Sequence, residues 1–294
     1  MNLAERSVEV ILAGQSPSGG YVASPTFEQY RYSWLRDGSF IADAMSRAGA
    51  VESAERFLDW CAGIVRARPE GPWDARYTLD GSPDDSEWPH HQLDGLGLWV
   101  WAARGHCERH GVASRWEDAC ELTVSYLREH WHDPCVDWWE EREGVHAATV
   151  GSIWAATRDE RARDFVTSCH KEERLDGSHA FLVALGLAPV EHLERIEREL
   201  GYHRHGDDEY YGGGSWIILA GFTGWARVAC GLNASAQLEW IEAQATADGE
   251  LPEQMPPLLR PERYDPWVEK WGAPPLPLLW SHAMYLTLRS VMGL

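Results

Sequence analysis

A chain of 294 residues is long enough to bury a large hydrophobic core, so we expect one domain, residues 1–294, without disulfide or metal staples. An apolar share of 44% and a charged share of 24% are typical of a soluble globular protein and exclude fibrous and disordered classes. The net charge of −20 repels phosphate backbones and anionic lipids, so we expect a small neutral ligand rather than nucleic acid or a membrane.

The first helical segment has no feature of a secretory signal, because Glu5, Arg6 and Glu9 interrupt its apolar positions. We therefore expect a cytoplasmic protein. Six cysteines form no CxxC pair and mostly lie in helix-like stretches, so they are expected to be free thiols. The apolar runs are shorter than the roughly 18 residues that cross a bilayer.

Helical periodicity dominates the chain, and alternating strand patterns are nearly absent. Residues 92–104 are apolar around the whole helix, which is typical of an enclosed helix, whereas residues 52–67 carry one apolar stripe. In several places, mostly apolar helices alternate with amphipathic ones along the chain. This alternation predicts two concentric layers. The twelve predicted helices are 2–14, 38–49, 51–67, 92–110, 115–130, 147–157, 158–171, 178–187, 190–200, 214–230, 233–247 and 281–292.

The links between these helices differ in length according to parity. Links from an even helix to the next odd one are short, whereas the odd-to-even links are long and rich in polar and aromatic residues. In a ring of helical hairpins, links of one parity emerge at the same end. We therefore predict an all-α (α/α)6 barrel, a six-hairpin toroid, with its active site at the mouth formed by the long links 16–37, 67–91, 131–146, 172–177, 201–213 and 248–281.

Tryptophan is the compositional outlier, with 17 copies. Several lie in polar links beside carboxylates, where an indole face can stack on the C–H face of a sugar. Those within helical runs are expected to be core residues instead. The link tryptophans are Trp34, Trp73, Trp88, Trp138, Trp139, Trp267 and Trp271, and the helical ones are Trp99, Trp101, Trp154 and Trp240.

The long links contain the candidate chemical groups. Asp37 is a possible helix cap, but Arg36 and Asp37 together also suit vicinal hydroxyls. In the third link, two consecutive tryptophans precede two glutamates and could raise a carboxyl pKa as a general acid requires, although a solvated acidic turn is the alternative. Arg204 in the fifth link could bind a hydroxyl or keep a carboxylate ionised, and Glu253 alone is one glutamate among many.

Other chemistries lack their motifs. The sequence has no GxSxG, HExxH or strand-linked GxGxxG pattern, and its histidines show no metal-ligand spacing. The acidic stretch 80–87 does not match an EF-hand. We expect neither an essential metal nor a cofactor.

Six segments, in order along nearly the whole chain, resemble the glucoamylase family of glycoside hydrolases. That family comprises inverting, exo-acting enzymes with an (α/α)6 catalytic barrel. The segments are YRYSWLRD at 30–37, HQLDG at 91–95, DWWEE at 137–141, RHGDDEYYGGGSW at 204–216, PEQ at 252–254 and LLWSHAMY at 278–285. Ser215 departs from the proline that is common in the family. From the length of the chain we expect neither the β-sandwich domain nor the starch-binding domain that some members carry.

The resemblance implies roles for individual residues. Glu140 would be the general acid and Glu253 the general base, although the sequence alone does not choose Glu140 over Glu141. The residues implied to grip the non-reducing glucose are Arg36, Asp37, Glu141 and Arg204, with Tyr30, Trp34 and Trp139 lining its pocket.

The resulting prediction is an inverting hydrolase that releases glucose from the non-reducing end of a short α-glucooligosaccharide or a glucosylated small molecule. Isomaltose and trehalose are among the candidate substrates, and the linkage, leaving group and oligomeric state stay open. The alternatives are a non-catalytic sugar-binding protein on the same barrel or, more weakly, another (α/α)6 enzyme such as an unsaturated-uronide hydrolase or a sugar epimerase.

Overall fold

The computed structural model describes residues 2–169 and 173–294. Helices follow one another along this part of the chain, interrupted by links of unequal length. The helices are α1 (Leu3–Ala13), α2 (Leu35–Arg47), α3 (Val51–Ala67), α4 (Asp94–His110), α5 (Glu117–His130), α6 (Ala147–Thr157), α7 (Glu160–Cys169), α8 (His179–Ala184), α9 (Val190–Glu199), α10 (Ile217–Ala229), α11 (Ser235–Ala243), α12 (Tyr264–Trp271) and α13 (Leu279–Val291).

Six helices form a closed inner ring in the order α2, α4, α6, α8, α10 and α13, and α13 returns to α2. The remaining helices except α12 surround it, because α1, α3, α5, α7, α9 and α11 each pack on an inner partner. The structure thus confirms the (α/α)6 barrel and the alternation of inner and outer helices. Cys61, Cys107, Cys120, Cys135 and Cys230 are free thiols, as predicted.

The two layers differ as their sequences require. In α2, every residue from Leu35 to Ser46 is buried, whereas α9 buries little beyond Leu193 and Ile196 and exposes its charged residues. The centre of the ring is aromatic: the Phe40 ring stacks on Trp280 at a centroid distance of 5.4 Å and also contacts Phe222. Burial of this apolar surface is the main force that holds the ring together.

Three two-stranded antiparallel pairs tie the long links to one another or to themselves. They join β1 (Ser33–Trp34) to β2 (Arg76–Tyr77), β3 (Cys135–Val136) to β4 (Glu143–Gly144), and β5 (Ser215–Trp216) to β6 (Gln254–Met255). The first and third pairs connect neighbouring links around the mouth. The middle pair is a hairpin within the third link.

Several details differ from the sequence predictions. Helix α2 begins at Leu35, so Asp37 lies in its first turn and does not cap it. Helix α12 lies within the proline-rich sixth link and was not predicted. Its third residue, Pro266, occupies a first-turn position where a backbone N–H has no helical acceptor, so the proline is tolerated.

Residues 170 and 171 of the predicted helix 158–171, and Glu172 of the fourth link, lie outside the described residues. Within the described part of the chain, no helix is both long and apolar enough to span a membrane. The cytoplasmic location stays a prediction.

Candidate active site

A pocket of about 370 Å³ opens at the mouth of the barrel. Five of the six long links contribute to its walls, and the fourth supports it through Asp176, whose carboxylate accepts hydrogen bonds from Trp139 Nε1 at 2.9 and 3.0 Å. The pocket is lined by Ala23, Tyr30, Trp34, Arg36, Asp37, Trp88, Pro89, Trp138, Trp139, Glu140, Glu141, Arg204, Tyr210, Trp216, Glu253, Leu278 and Trp280. Such an aromatic wall with a few convergent polar groups is typical of a small-molecule site.

The β3–β4 hairpin directs Glu140 and Glu141 to opposite partners. Asp137 organises the turn, because its Oδ1 accepts the backbone N–H groups of Trp139 and Glu141 at 3.2 and 2.9 Å. Glu140 itself has a left-handed φ of 63°, which is uncommon for a residue other than glycine. Strained backbone of this kind is concentrated at functional sites.

Glu140 is held through one carboxylate oxygen. Its Oε1 accepts hydrogen bonds from Trp34 Nε1 and Gln92 Nε2, both at 2.8 Å, and lies 3.5 Å from Arg36 Nη2. Its Oε2 accepts no hydrogen bond from any described residue, and the side chain faces the pocket. One fixed oxygen and one available oxygen suit a carboxyl group that exchanges a proton with a ligand.

Glu141 is paired with positive charge instead. Its Oε1 lies 2.7 Å from Arg204 Nη2, and His205 Nε2 lies 3.3 Å from its Oε2. Burial raises the pKa of Glu141, but His205 and Arg204 outweigh burial and lower the pKa to about 2. Glu141 is therefore a stable carboxylate that can accept hydrogen bonds from sugar hydroxyls but cannot donate a proton near neutral pH.

Arg204 is almost fully buried, with 3% exposure, and Asp208 fixes it by two hydrogen bonds of 2.6 and 2.8 Å. The rings of Trp139, Tyr210 and Trp216 lie 5.1 to 5.3 Å from its guanidinium carbon. Glu141, His205 and Asp208 also place ligand-type atoms within 4.8 Å of one another. Because Arg204 already bridges the two carboxylates, this cluster has its cation supplied by the chain.

Arg36 lies between Glu140 and a second set of acidic side chains, Asp37 and Asp94. Its Nη1 donates to Gln92 and Asp94 at 2.8 and 3.1 Å, and its Nε lies 3.3 Å from Asp37. Burial, together with the nearby carboxylates of Glu140 and Asp94, outweighs Arg36 and raises the pKa of Asp37 to about 7. Arg36 and Asp37 thus present adjacent donor and acceptor atoms to the pocket.

Glu253 lies in the sixth link beside strand β6 and is 3% exposed. The hydroxyl groups of Tyr30 and Tyr211 donate to its two oxygens at 3.1 and 2.7 Å. Burial raises the pKa of Glu253 to about 7, and these two hydrogen bonds act in the opposite direction. Glu140 and Glu253, two of the four carboxyl groups that line this pocket, thus have different surroundings.

Comparison with known proteins identifies the family of this chain. The family model described as "Glycosyl hydrolases family 15" matches residues 2–177, more than half of the chain. The chain belongs to glycosyl hydrolase family 15. It is a glycoside hydrolase, and this membership favours the hydrolase over the sugar-binding, uronide hydrolase and epimerase alternatives.

Several relatives match over nearly their whole length. An isomaltose glucohydrolase of Kribbella flavida is 38% identical over 99% of this chain and 93% of its own length. A solved wild-type glycosidase is 36% identical with a TM-score of 0.91, covering 99% of this chain and 96% of its own. A glycosidase variant solved in complex with glucose gives the same values. A bacterial glucoamylase complexed with acarbose shares the fold, with 18% identity and a TM-score of 0.76. The match covers 99% of this chain and 55% of the glucoamylase.

All nine site residues predicted from the sequence line this pocket. They are Glu140, Glu253, Tyr30, Trp34, Arg36, Asp37, Trp139, Glu141 and Arg204. Of the other link tryptophans, Trp88 and Trp138 also line the pocket, Trp73 is buried against Tyr126, and Trp267 and Trp271 lie on α12. Among the helical tryptophans, Trp99 is fully buried and the others pack against the core, as expected.

Further residues support the site. Gln92 and Asp94, in the HQLDG segment that resembles the family, hold Glu140 and Arg36. The sequence predictions missed Asp208, Tyr211 and Asp176, which hold Arg204, Glu253 and Trp139. Most of them fall inside segments that resemble the family, which is the signal that could have found them. Asp176 lies in the fourth link, outside these segments, and has no such signal.

Proposed function

We propose that this protein is an inverting, exo-acting α-glucoside hydrolase that releases one glucose from the non-reducing end of a short α-glucoside. The observation that carries the proposal is the pair Glu140 and Glu253, which are 113 positions apart in the chain and line one pocket with unlike surroundings. Paired carboxyl groups across a sugar pocket are the arrangement that glycoside hydrolysis requires.

In the proposed reaction, Glu140 is the general acid. Its Oε2 protonates the glycosidic oxygen as the bond to the anomeric carbon breaks, while Oε1 stays fixed by Trp34 and Gln92. Glu141 is unsuited to this role because Arg204 and His205 keep it ionised. The structure therefore supports the choice of Glu140 that the sequence alone left open.

Glu253 is the proposed general base. It removes a proton from a water molecule that attacks the opposite face of the sugar, and Tyr30 and Tyr211 orient its two oxygens. Because burial raises the pKa of Glu253 to about 7, the base is about half ionised at neutral pH and fully ionised only in alkaline solution. We therefore expect activity to be highest near or above neutral pH.

The remaining predicted residues hold the glucose. Arg36 and Asp37 present one donor–acceptor pair, and Glu141 and Arg204 present another, each suited to neighbouring hydroxyl groups. Tyr30, Trp34 and Trp139 supply aromatic walls.

The isomaltose glucohydrolase relative supports isomaltose as the first substrate to test. Trehalose comes second, since a Sulfolobus acidocaldarius trehalase matches over only 29% of this chain.

One hydrophobic core runs from Val10 to Leu288, which supports residues 1–294 as one catalytic unit.

The test is glucose release from isomaltose, maltose and trehalose, with the anomer of the first product followed by proton NMR. We expect β-glucose as the initial product, fastest from isomaltose. Initial α-glucose would contradict inversion, and no glucose from any of the three would contradict the proposed substrate class. Glu140→Gln and Glu253→Gln are the matched variants, and both are expected to lose isomaltose hydrolysis.

A further inference from the structure

Arg76 is a buried arginine directly behind the wall of the pocket. It is 3% exposed, lies in strand β2 opposite Trp34 of β1, and is not itself among the residues that line the pocket. An isolated buried guanidinium is costly, so its retention requires partners that hold it firmly.

Aromatic rings are the first group of partners of the Arg76 guanidinium. The guanidinium carbon of Arg76 lies 3.8 Å from the ring centre of Trp88, 4.1 Å from that of Tyr32 and 5.0 Å from that of Trp34. A planar guanidinium binds such rings by cation–π attraction and by stacking of its weakly hydrated faces. A lysine ammonium can supply only the cation–π attraction.

Hydrogen bonds fix the edge of the same group. Arg76 Nε donates to Asp84 Oδ2 at 2.7 Å, and Nη2 donates to Ser86 Oγ at 3.1 Å. Burial raises the pKa of Asp84, but the bonds from Ser86 and Arg76 outweigh burial and lower it overall, so Asp84 is a carboxylate. Asp84 is buried while the residues on either side of it are exposed, so this ion pair anchors the surface segment that leads to Trp88.

The two tryptophans beside Arg76 are both part of the pocket. The rings of Trp34 and Trp88 meet edge to face at a centroid distance of 5.8 Å. Trp34 also donates the 2.8 Å hydrogen bond to Glu140 Oε1. A shift of the Arg76 stack therefore reaches the pocket wall and the carboxyl group that we assign as the acid.

We propose that Arg76 is a positioning residue that holds Trp34 and Trp88 in place and, through Trp34, orients Glu140 for proton donation. The proposal rests on the function proposed above. Arg76 does not touch the substrate. Its effect falls on the step that needs the acid, which is protonation of the departing sugar oxygen.

The experiment compares two substrates that differ in their need for that proton. In isomaltose the leaving group is the second glucose, whose departing O6 must be protonated by the acid. α-Glucosyl fluoride loses fluoride ion when its C1–F bond breaks and needs little proton donation, while Glu253 takes the proton of the attacking water in both reactions. We expect Arg76→Met to lower the ratio of kcat/KM for isomaltose to kcat/KM for α-glucosyl fluoride about 10-fold or more, and Arg76→Lys to restore part of it.

A merely structural role predicts a different result, because a loosened fold lowers both rates together and leaves the ratio unchanged. An unchanged ratio in Arg76→Met would overturn the proposal. If that variant does not fold, Asp84→Asn removes the ion pair while keeping Arg76, and we expect a smaller fall of the ratio in the same direction. An unchanged ratio in this variant also contradicts the proposal.

The chain offers a matched control in Arg115. This arginine also stacks on a tryptophan, Trp116 at 4.7 Å, and pairs with Asp59 at 2.7 Å, but it lies on the α4–α5 link at the opposite end of the barrel. Arg115→Met should leave the ratio unchanged. Glu140→Gln separates the two proposals: if it lowers both rates equally, the acid assignment is wrong, whatever Arg76 does.

Discussion

The Tyr211 hydroxyl group donates a 2.7 Å hydrogen bond to Glu253 Oε2. This bond lowers the pKa of Glu253, which burial raises to about 7. Tyr211→Phe removes the donor and destabilises the carboxylate, so the pKa of Glu253 should rise further. We expect the acidic limb of the kcat/KM profile to move to higher pH by about one unit, since a hydrogen bond to a charged group contributes roughly 1.5 to 3 kcal/mol.

The control is Tyr264→Phe, because the Tyr264 ring lies 6.4 Å from that of Tyr211 and makes no hydrogen bond to Glu253. The acidic limb of the kcat/KM profile of Tyr264→Phe should coincide with that of the unmodified protein. If the limb of Tyr211→Phe also stays in place, Glu253 is not the group that the acidic limb reports.

The raised pKa of Glu253 also has a consequence for stability. Its value of about 7 exceeds the ordinary 4.5, so the folded protein binds this proton more tightly than the unfolded chain. The resulting stabilisation is complete below pH 4.5 and is lost as the pH rises through about 7, a change of about 3 kcal/mol. Glu253→Gln has no such loss, so it should exceed the unmodified protein in free energy of unfolding at pH 8 but not at pH 4. Urea denaturation at both pH values measures this, and parallel pH curves would contradict the assignment.

Glu140 and Glu141 should respond differently to the same chemical change. Glu140→Gln removes the proposed proton donor, so kcat on isomaltose should fall about 10²- to 10⁴-fold and the basic limb of the pH profile should disappear. Glu141→Gln keeps Arg204 paired with Asp208, so the site should persist with a KM raised about 10-fold and the basic limb retained. Steady-state kinetics across pH distinguishes the two, and the reverse pattern would exchange their roles.

The sequence predicts the barrel well because helical periodicity and link length are local properties of the chain. It does not separate Glu140 from Glu141, since their directions depend on the φ of 63° at Glu140 and on the Asp137 turn. The hydrogen bonds of Gln92 and Asp208 could not be predicted from the sequence either. Each residue acts through a hydrogen bond across or within links whose geometry exists only in the folded ring. Helix α12 was missed because its Pro266 and the prolines of the surrounding link are typical of extended chain.

The packing of the inner ring gives a last prediction. A Cβ at Gly97 of α4 would collide with the backbone oxygen of Ser152 in α6 and lie 2.9 Å from the Ile153 nitrogen. Backbone atoms cannot move aside without shifting the helix, so Gly97→Ala should lower the free energy of unfolding by about 1 to 3 kcal/mol. Gly63 is the matched control, since it lies exposed in α3 with nothing within 4 Å of the added Cβ. Gly63→Ala should raise the free energy of unfolding by about 0.5 to 1 kcal/mol. Thermal and urea unfolding of both variants checks the pair, and equal effects would contradict the close approach of α4 and α6.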